Sequence, residues 1–434
     1  MPIWNKEAEC ASIESIKKTQ LERLQKMVEK VYAKVPFYRQ KFDQSGITPD
    51  SISCLEDIAK IPFTSKHELR QTYPFGLLAC KHEELTEIHT SSGTTGTPVV
   101  GAYTEGDIDV WSESVARSLT MAGCGKNDTV QNSYGYGLFT GGLGVHYGAR
   151  RIGANIIPIS TGNTQRQLAL MQDFKTTILT STPSYALYLA ETAKREGFSI
   201  KGLSLKAGTF GAEPWSENMR TEIEQNFSII AHDIYGLTEL MGPGVAAECE
   251  YKNGLHVNED YFYPEVINPD TGEILPDGEK GELVITNLMR DGSPILRYRT
   301  RDITYLMREP CACGRTLVRI HRLLGRTDDM MIIRGVNCFP SQIENVLMRI
   351  KGTQPQYQII IDRGATHLDE IEIRVEVQES VFSDVTREME RLRKQIHDEL
   401  RHALGISAHV RLVGPRSIPR SEGKAQRIID KRSL

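Results

Sequence analysis

The spacing of hydrophobic residues near the start of the chain predicts a long amphipathic helix. Leu21, Leu24 and Val28 recur at intervals of three and four residues, as the residues on one face of an α-helix do. The same spacing continues to Val35, and Pro36 follows it. Because proline does not fit inside a helix, we expect the helix to end there.

Short apolar runs alternate with helical patterns in the middle of the chain. NIIPIS at residues 155–160 and TTILTSTP at 176–183 have the character of strands, and a helix-like segment follows each of them. Strands that alternate with helices at this spacing are typical of a parallel sheet covered by helices. This region therefore predicts an α/β fold.

The pattern changes after about residue 255, where short extended segments are separated by turn residues. DTGE at 270–273 and PDGE at 276–279 are turn sequences, and they predict an antiparallel or barrel-like β extension. Beyond about Gly325, a strand pattern and amphipathic helices predict a compact α+β domain. We therefore predict a large N-terminal domain over residues 1–326 and a small C-terminal domain over 327–434.

Composition restricts the classes of function. The 434 residues carry 52 Lys and Arg against 56 Asp and Glu, a net charge of −4, which removes the electrostatic case for nucleic acid or an anionic membrane as partner. Charged residues near the N-terminus, where a secretion signal would be apolar, predict that no such signal is present. Eight cysteines without a secretion signal predict a reducing compartment, and so a cytoplasmic protein.

A segment rich in hydroxyl groups and glycine follows a predicted strand at 85–89. Its candidate phosphate-binding residues are Ser91, Ser92, Gly93, Thr94, Thr95 and Gly96. Hydroxyl and backbone N–H groups in such a segment can surround a phosphate oxyanion. It is not a Walker loop, because the Gly-Lys-Ser/Thr ending is absent. Taken alone, the segment is equally compatible with a flexible turn.

Four further segments carry groups that a nucleotide needs. DIYGLTE at 233–239 combines an aromatic ring that can stack on a base with a hydroxyl and a carboxylate suited to phosphate and Mg²⁺. YRTRD ends at Asp302, whose carboxylate suits a ribose diol, GRTDD begins at Gly325, and PRSEGK ends at Lys424. Each segment has an ordinary structural explanation by itself. Their joint occurrence favours a nucleotide site.

A glycine-rich segment with aromatic residues is a candidate pocket for an apolar or aryl acid. YGYGLFTGG at 134–142 offers Tyr136 and Phe139 as walls, and its glycines would let a ring approach the backbone. The alternative is a glycine-rich loop whose aromatic residues belong to the core.

One cysteine pattern lies outside the nucleotide motifs. Cys311 and Cys313 form a Cys-x-Cys pair between Pro310 and Gly314, and Cys249 and His256 precede them. Three thiols and one imidazole make a tetrahedral zinc set, and four protein ligands leave no open position, so such a zinc would be structural. The alternative is four residues that are buried independently of one another. We expect the remaining five cysteines to serve ordinary packing.

The order of these segments resembles that of the adenylate-forming superfamily of acyl-CoA synthetases, and most closely the phenylacetate–CoA ligase family. SSGTTGTP is similar to its phosphate loop, YGLTE to its nucleotide and magnesium motif, and YRTRD to its ribose motif. GRTDDMMIIRGVNCFPSQIE resembles its hinge, and RSEGKAQRIID its catalytic-lysine segment. The resemblance spans essentially the whole chain. Thr97 departs from it, because many relatives have Lys there.

The resemblance implies the adenylate-forming fold and a two-step reaction. A carboxylate first attacks the α-phosphate of ATP, giving acyl-AMP and pyrophosphate, and the CoA thiol then displaces AMP. The implied catalytic residues are Lys424, Glu239, which would also hold Mg²⁺, and Thr95. The C-terminal domain would carry Lys424 and swing as a lid about a hinge at Asp328.

The resemblance also assigns the nucleotide contacts. Glu213 and Pro214 would frame the adenine together with Tyr235, while Asp302 and Arg326 would hold the ribose. The implied nucleotide site also includes Asp233, Gly236 and Thr238. A zinc held by cysteines resembles one that some members of this branch carry.

Two other functions stay open at this point. One is an adenylating enzyme with a different acceptor, such as the deazaflavin-adenylating coenzyme F390 synthetase. The other is a catalytically silent nucleotide-binding protein, against which the retention of Lys424, Glu239 and Asp302 argues. The expected partners are ATP, CoA and a small carboxylic acid. A homodimer is an assembly that the sequence leaves open.

Overall fold

The structure, a computed structural model, describes most of the chain. The described residues are 2–91, 97–327, 329, 331–334, 336–363, 369–379, 381, 386–420 and 427–432. They form two compact units, of which the first comprises Met1–Ser181, Ser199–Ala212 and Ser228–Arg322. The second comprises Thr182–Phe198, Glu213–Phe227 and Leu323–Leu434. The predicted boundary between residues 326 and 327 stays a prediction.

The helices are distributed along the whole chain. They are α1 Lys6–Glu9, α2 Ile13–Lys34, α3 Pro36–Gln44, α4 Lys66–Gln71, α5 Glu105–Met121, α6 Thr140–Ile152, α7 Thr164–Asp173, α8 Pro183–Arg195, α9 Glu217–Phe227, α10 Pro340–Leu347 and α11 Thr386–Leu404. Short 3₁₀ helices span Pro49–Ser51, Leu55–Lys60, His82–Glu84 and Ile200–Gly202. Among the helices of the described residues, none combines the length and apolar character that crossing a membrane requires.

The strands are mostly short, and β18 and β19 are the longest among the described residues. They are β1 Leu85–Thr90, β2 Val100–Thr104, β3 Thr129–Asn132, β4 Asn155–Ile157, β5 Ile178–Ser181, β6 Ala207–Gly211, β7 Ile230–Leu237, β8 Gly242–Glu248, β9 Leu255–Val257, β10 Phe262–Ile267, β11 Gly281–Asn287, β12 Tyr298–Thr304, β13 Leu306–Met307, β14 Arg319–Ile320, β15 Gly325–Arg326, β16 Met331–Ile333, β17 Val336–Cys338, β18 Thr353–Arg363, β19 Asp369–Val377, β20 His409–Val413 and β21 Ile428–Asp430.

Helix α2 confirms the prediction from the N-terminal apolar stripe. The Ser12 side chain accepts a hydrogen bond from the backbone N–H of Ser15 and so caps the first turn. Leu24 and Val28 are buried on one face, and the helix ends two residues before Pro36. The local pattern was sufficient here because capping, periodicity and termination are all properties of neighbouring residues.

A large mixed sheet forms the centre of the first unit. Among the described residues its strand order is β13-β14-β9-β8-β7-β6-β5-β3-β4. Strands β4, β3, β5, β6 and β7 are parallel, as the alternation of strands and helices predicts, whereas β8, β9, β14 and β13 continue the sheet with antiparallel pairing. Strands β5 and β6 are buried along their whole length, which explains their continuous apolar and small residues. The α/β prediction is confirmed.

The predicted β extension is a separate antiparallel arrangement in the first unit. Strand β11 pairs with β10 on one side and with β12 on the other. Strand β12 carries the YRTRD segment, so its pairing fixes the position of Asp302.

The C-terminal part of the second unit has its own sheet and core. Strands β18 and β19 pair antiparallel, and β21 and β20 flank them in parallel, giving the order β20-β19-β18-β21. Ile359 and Ile373 of this sheet are fully buried with Ile396 and Leu400 of α11. The alternating pattern of β19 and the apolar stripe of α11 therefore meet in one core, as their sequences predict.

Candidate functional site

The predicted phosphate segment begins at the end of a short hairpin. Strands β1 and β2 pair antiparallel, and Ser91 continues their ladder by exchanging backbone and side-chain hydrogen bonds with Val99. The Ser91 hydroxyl accepts from the Val99 N–H at 2.9 Å. Ser92, Gly93, Thr94, Thr95 and Gly96 lie outside the described residues. The structure therefore describes only the residues that flank this part of the segment, Ser91 and Thr97.

The DIYGLTE segment forms the end of β7 and the tight turn into β8. Gly236 has to be glycine, because a Cβ there would overlap the carbonyl of Gly242 on the returning strand. The Thr238 hydroxyl lies 3.2 Å from that of Thr140, and the Asp233 N–H donates to Glu248 at 2.8 Å. A Cβ on Gly101 of β2 would lie 3.2 Å from the Thr238 carbonyl, so β2 passes directly against this turn.

The structure brings the YGLTE and YRTRD segments together. The Tyr235 hydroxyl donates to Oδ2 of Asp302 at 2.7 Å, although the two residues are 67 positions apart. Tyr235 and Asp302 are 6% and 1% exposed, so this hydrogen bond is shielded from water and fixes the carboxylate in one orientation. A carboxylate oriented in this way is suited to a ribose diol.

Lys66 is a residue that the sequence did not single out. Its Nζ lies 3.3 Å from Oε1 of Glu239, and the Glu239 side chain is 7% exposed. Lys66 is the first residue of α4, where Ser65 and Glu68 form a capping box. That capping pattern was the one local signal for the position of Lys66, and it says nothing about a partner 173 positions away.

Arg290 and Tyr103 are two further buried residues that the sequence did not single out. The Arg290 guanidinium lies over the Tyr103 ring at 4.3 Å and donates to the Leu240 carbonyl, while the Tyr103 hydroxyl donates to the Met241 carbonyl at 3.0 Å. Burial raises the pKa of Tyr103 to about 12. Within the described residues, Nε and Nη2 of Arg290 have no hydrogen-bond partner. Both side chains therefore fix the turn that follows Glu239 and place a positive charge behind it.

The two candidate pocket residues have different environments. The Tyr136 hydroxyl accepts from Asn132 at 2.8 Å and lies 3.2 Å from Nδ1 of His146. Burial raises the pKa of Tyr136 to about 12, and burial lowers that of His146. Phe139 is 41% exposed immediately before α6. Tyr136 is thus held by two polar partners, whereas Phe139 offers an exposed ring.

The remaining predicted nucleotide and hinge residues belong to the second unit or lie outside the described residues. Glu213 accepts a hydrogen bond from the Ser184 N–H in the first turn of α8, at 2.7 Å, and Pro214 follows it. Arg326 lies on β15, with its Nε 3.8 Å from Asp329. Asp328 and Lys424 lie outside the described residues.

The cysteine and histidine residues predicted as metal ligands form one cluster. The candidate ligand atoms of Cys249, His256, Cys311 and Cys313 all lie within 4.8 Å of one another. Cys249 and Cys311 have their sulfur atoms 3.7 Å apart, and Sγ of Cys313 is 3.4 Å from Nε2 of His256. The gap of 62 residues is closed by the sheet, because β9 pairs with both β8 and β14 around His256.

The charge state of one thiol in this cluster, that of Cys313, favours a cation. A hydrogen bond from Cys249 is the main cause that lowers the pKa of Cys313, to about 2, and His256 adds to it. Burial alone would lower the pKa of His256, but hydrogen bonds with Cys311 and Cys313 raise it. A thiolate is therefore already stabilised in this donor set. Three sulfur atoms and one imidazole nitrogen fit a tetrahedral site for a soft divalent metal.

A buried ion pair attaches the N-terminal segment to the residues beside this cluster. The Arg315 Nε donates to Oε2 of Glu9 at 2.5 Å, and neither side chain is exposed. The backbone N–H of Thr316 also donates to the Glu9 carbonyl at 3.0 Å. The residues beside the candidate metal cluster are thus connected to the N-terminal segment by a side-chain and a backbone contact.

Comparison with known proteins places these features in a family. The model of the AMP-binding enzyme family matches residues 15–289, and the model of the AMP-binding enzyme C-terminal domain matches residues 335–432. A phenylacetate-coenzyme A ligase of Thermus thermophilus is 46% identical over 99% of this chain and 100% of its own length. A phenylacetate-coenzyme A ligase of Escherichia coli is 48% identical over 98% of this chain and 97% of its own length.

Solved structures of a 2-hydroxyisobutyryl-CoA ligase are similar along the whole chain. In the postadenylation state with 2-HIB-AMP, that ligase superposes with a TM-score of 0.93 at 29% identity, covering 99% of this chain and 92% of its own. In the thioesterification state with 2-HIB-AMP and CoA, the TM-score is 0.74 at 30% identity, with the same coverage.

Proposed function

Because this chain belongs to the phenylacetate–coenzyme A ligase family of AMP-binding enzymes, we propose that it joins phenylacetate or a related aryl acid to CoA. The acid carboxylate attacks the α-phosphate of ATP, and pyrophosphate leaves. The CoA thiol then attacks the carbonyl carbon of the acyl-AMP, loses its proton, and AMP leaves. The full-length similarity to phenylacetate-coenzyme A ligases is the observation that carries this proposal.

The nucleotide contacts would centre on the hydrogen-bonded side chains of Tyr235 and Asp302. Asp302 would accept hydrogen bonds from the ribose hydroxyls, because the Tyr235 hydroxyl already orients its carboxylate. The Tyr235 ring, with Glu213 and Pro214, would frame the adenine, and Arg326 would assist at the ribose. The residues from Ser91 to Gly96 would surround the triphosphate with hydroxyl and N–H donors.

Lys424 would place its ammonium group on the α-phosphate in the first step. Charge accumulates on the phosphoryl oxygens as the carboxylate attacks, and a positioned cation stabilises that charge. Thr95 would contribute a hydroxyl to the same oxygens. Thr97 stands where many relatives have a lysine. The positive charge of Arg290 behind the Glu239 turn would therefore contribute more to stabilising the phosphoryl charge in this protein.

Glu239 is the residue that would hold Mg²⁺. Magnesium is bound in such sites through one or two carboxylates together with the substrate phosphates, so one buried carboxylate fits the ion. The ion supplies neutralising charge on the triphosphate when bound. Since Lys66 lies 3.3 Å from Glu239, this lysine would have to exchange its contact when the carboxylate takes a cation.

Cys249, His256, Cys311 and Cys313 would hold a structural zinc. The support is their donor chemistry, their mutual distances within 4.8 Å, and the stabilised thiolate of Cys313. With all four positions occupied by protein, the ion would take no part in the reaction. It would connect the turn between β13 and β14 to β8 and β9.

The acyl pocket would be formed by Tyr136 and Phe139. The polar anchors of Tyr136 would keep its ring in place beside an aryl substrate, and the exposed ring of Phe139 would cover it. The substrate class is tested by measuring CoA-dependent AMP release with aryl, fatty and amino acids. Release with phenylacetate at the highest kcat/KM would support the proposal. Release in the absence of CoA but with another acceptor would instead favour a different adenylating enzyme.

The mechanism is tested by the variant Lys424→Ala. We expect acid-dependent ATP–pyrophosphate exchange to fall by at least about a hundredfold, because the charge stabilisation of the first step is lost. ATP should still bind, as measured by calorimetry. Lys431→Ala, which removes an exposed lysine after β21, is the matched control and should exchange normally. Normal exchange by Lys424→Ala would contradict the assigned mechanism, and no exchange by the wild type would support a silent nucleotide-binding protein.

The cytoplasmic location and a homodimeric assembly remain predictions. Fractionation of the native host and sedimentation of the purified protein would test them.

A further inference from the structure

Arg420, four residues before Lys424, donates hydrogen bonds from all three of its guanidinium nitrogens. Its Nε and Nη2 donate to Glu191 at 3.0 and 3.2 Å. Its Nη1 and Nη2 also donate to Glu376 at 2.7 and 2.9 Å. Each carboxylate thus receives a bidentate, charge-assisted pair, which is the strongest geometry for an arginine. The position of Arg420 is therefore determined by two carboxylates together.

The two carboxylates belong to segments of the chain that match different family models. Glu376 is on β19, within the segment that matches the C-terminal domain model, and it is completely buried. It also accepts from the Ile418 N–H at 2.8 Å, so it holds Arg420 to its own sheet. Glu191 is on α8, within the segment that matches the AMP-binding model, and its side chain is 28% exposed. All of these residues belong to the second unit.

Glu191 has a second cation from the same C-terminal segment. The Nε of Arg416 lies 3.3 Å from Oε1 of Glu191. Arg416 is half exposed and Arg420 is largely buried, at 52% and 14% of their side-chain surface. A single carboxylate on α8 is thus the partner of two arginines that precede Lys424.

The residues that follow the lysine segment, here residues 421–426, also make contacts within the second unit. Arg427 lies 2.9 Å from Glu344 and stacks over the Tyr357 ring at 4.4 Å. Its Nη2 approaches the sulfur of Met219 on α9 at 3.8 Å. Burial opposes the charge of Arg427, but Tyr357 and Glu344 raise its pKa, so the guanidinium stays charged. Residues on both sides of 421–426 therefore contact α8 or α9.

The two half-reactions make different demands on Lys424. Its ammonium is needed at the α-phosphate in the first step, whereas the second step needs room for a thiol at the adjacent carbonyl carbon. The related 2-hydroxyisobutyryl-CoA ligase superposes on this chain with TM-scores of 0.93 and 0.74 in its two states, so that protein differs between them. Contacts that hold the lysine segment in one state have to be released in the other.

We propose that Glu191 is a positioning residue for the first half-reaction alone: it pairs with Arg416 and Arg420 to hold the lysine segment for adenylation, and it gives up both arginines before thioester formation. Glu376 stays paired with Arg420 in both states. This inference rests on the proposed ligase function.

The exposure of the groups supports this division. Partly exposed ion pairs contribute little free energy, so breaking the Glu191 contacts is compatible with repeated turnover. Breaking the Glu376 pair would leave a completely buried carboxylate without its partner, which is far more costly. The pair that can be exchanged is thus the one that joins the two family segments.

The test separates the two half-reactions in Glu191→Gln. Adenylation is followed as phenylacetate-dependent ATP–pyrophosphate exchange, and thioester formation as CoA consumption from supplied phenylacetyl-AMP. We expect exchange to fall about fivefold, the upper end of the effect of a partly exposed charge pair. Thioester formation should stay unchanged or become faster. Exchange should decrease in the order Glu, Asp, Gln, Lys at position 191, because it follows the charge.

Glu196→Gln is the matched control, because Glu196 lies directly after α8 and pairs with Arg195 at 2.7 Å. It should leave both half-reactions unchanged. Equal loss of both half-reactions in Glu191→Gln would overturn the inference and indicate a structural role, and so would no change in either. If the wild type itself shows no exchange with any acid, the proposed function fails, whereas a competent wild type without the split contradicts the role of Glu191 alone.

Discussion

Arg315 and Arg420 both pair with a glutamate that is distant in the sequence, but the two pairs lie in different surroundings. Arg315 and Glu9 are completely buried beside the cysteine cluster of the first unit. Arg420 and Glu191 pair in the second unit across 229 positions, and the Glu191 side chain is 28% exposed. The same two residue types therefore form one pair that cannot be solvated without unfolding and another that water can reach.

This difference separates a permanent connection from an exchangeable one. The buried pair lies among backbone hydrogen bonds, such as that from Thr316 to Glu9, and beside four candidate metal ligands. Removing one partner would leave a charge without solvent. The Arg420 pair has a second carboxylate, Glu376, that can keep the guanidinium when Glu191 leaves.

The largest effect is expected from the metal ligands. Purified protein should contain about one zinc per chain, and Cys311→Ser combined with Cys313→Ser should lose it. We expect the thermal midpoint to fall by about 10 °C, because two of the four candidate ligands are removed. Metal analysis and calorimetry measure the two effects. Cys54→Ser, at an exposed cysteine, is the control and should change neither. A zinc-free wild type that is fully folded would end the zinc proposal.

The next effect concerns the buried pair itself. Arg315→Met should lower the free energy of unfolding by about 3–5 kcal/mol, because Glu9 stays buried without its cation. The double variant with Glu9→Gln should recover part of this loss. Urea unfolding followed by tryptophan fluorescence measures both. Arg195→Met, in an exposed pair, is the control and should cost less than about 1 kcal/mol. If the two arginine variants lost equal stability, burial would not be what separates the pairs.

The smallest effect is expected at Arg416. Because its pair with Glu191 is half exposed, Arg416→Ala should lower phenylacetate-dependent exchange by about twofold. The same substitution in a Glu191→Gln background should have no additional effect, since its partner is already neutral. Exchange rates of the four proteins in this cycle measure the coupling. Additive effects would show that Arg416 acts independently of Glu191.

The sequence predicted the local elements and the chemistry of the motifs well. Helix α2 follows from its apolar spacing and from Pro36, and β19 follows from its alternation. The cysteine and histidine set was identified from residue types, because few other patterns combine three thiols and an imidazole. Whether its members would meet was not determined by their spacing, and the pairing of β9 with β8 and β14 decides it.

Several site residues had no signal in the sequence. Lys66, Arg290 and Glu191 are ordinary charged residues in ordinary helical or loop contexts. Their partners, Glu239, the Leu240 carbonyl and Arg420, are distant in the chain. One charged residue has many possible partners, and only the folded chain selects one.

By itself, the sequence determined the succession of helices and strands, the segments suited to phosphate, ribose and metal, and the resemblance to one family. These properties depend on residues that are neighbours in the chain, where periodicity, capping and turn preferences act. Only the tertiary structure decided that Tyr235 orients Asp302, that four candidate metal ligands converge, and that Glu191 holds Arg420. Such contacts join residues across 67, 62 and 229 positions, and they exist because burial and strand pairing bring those positions together.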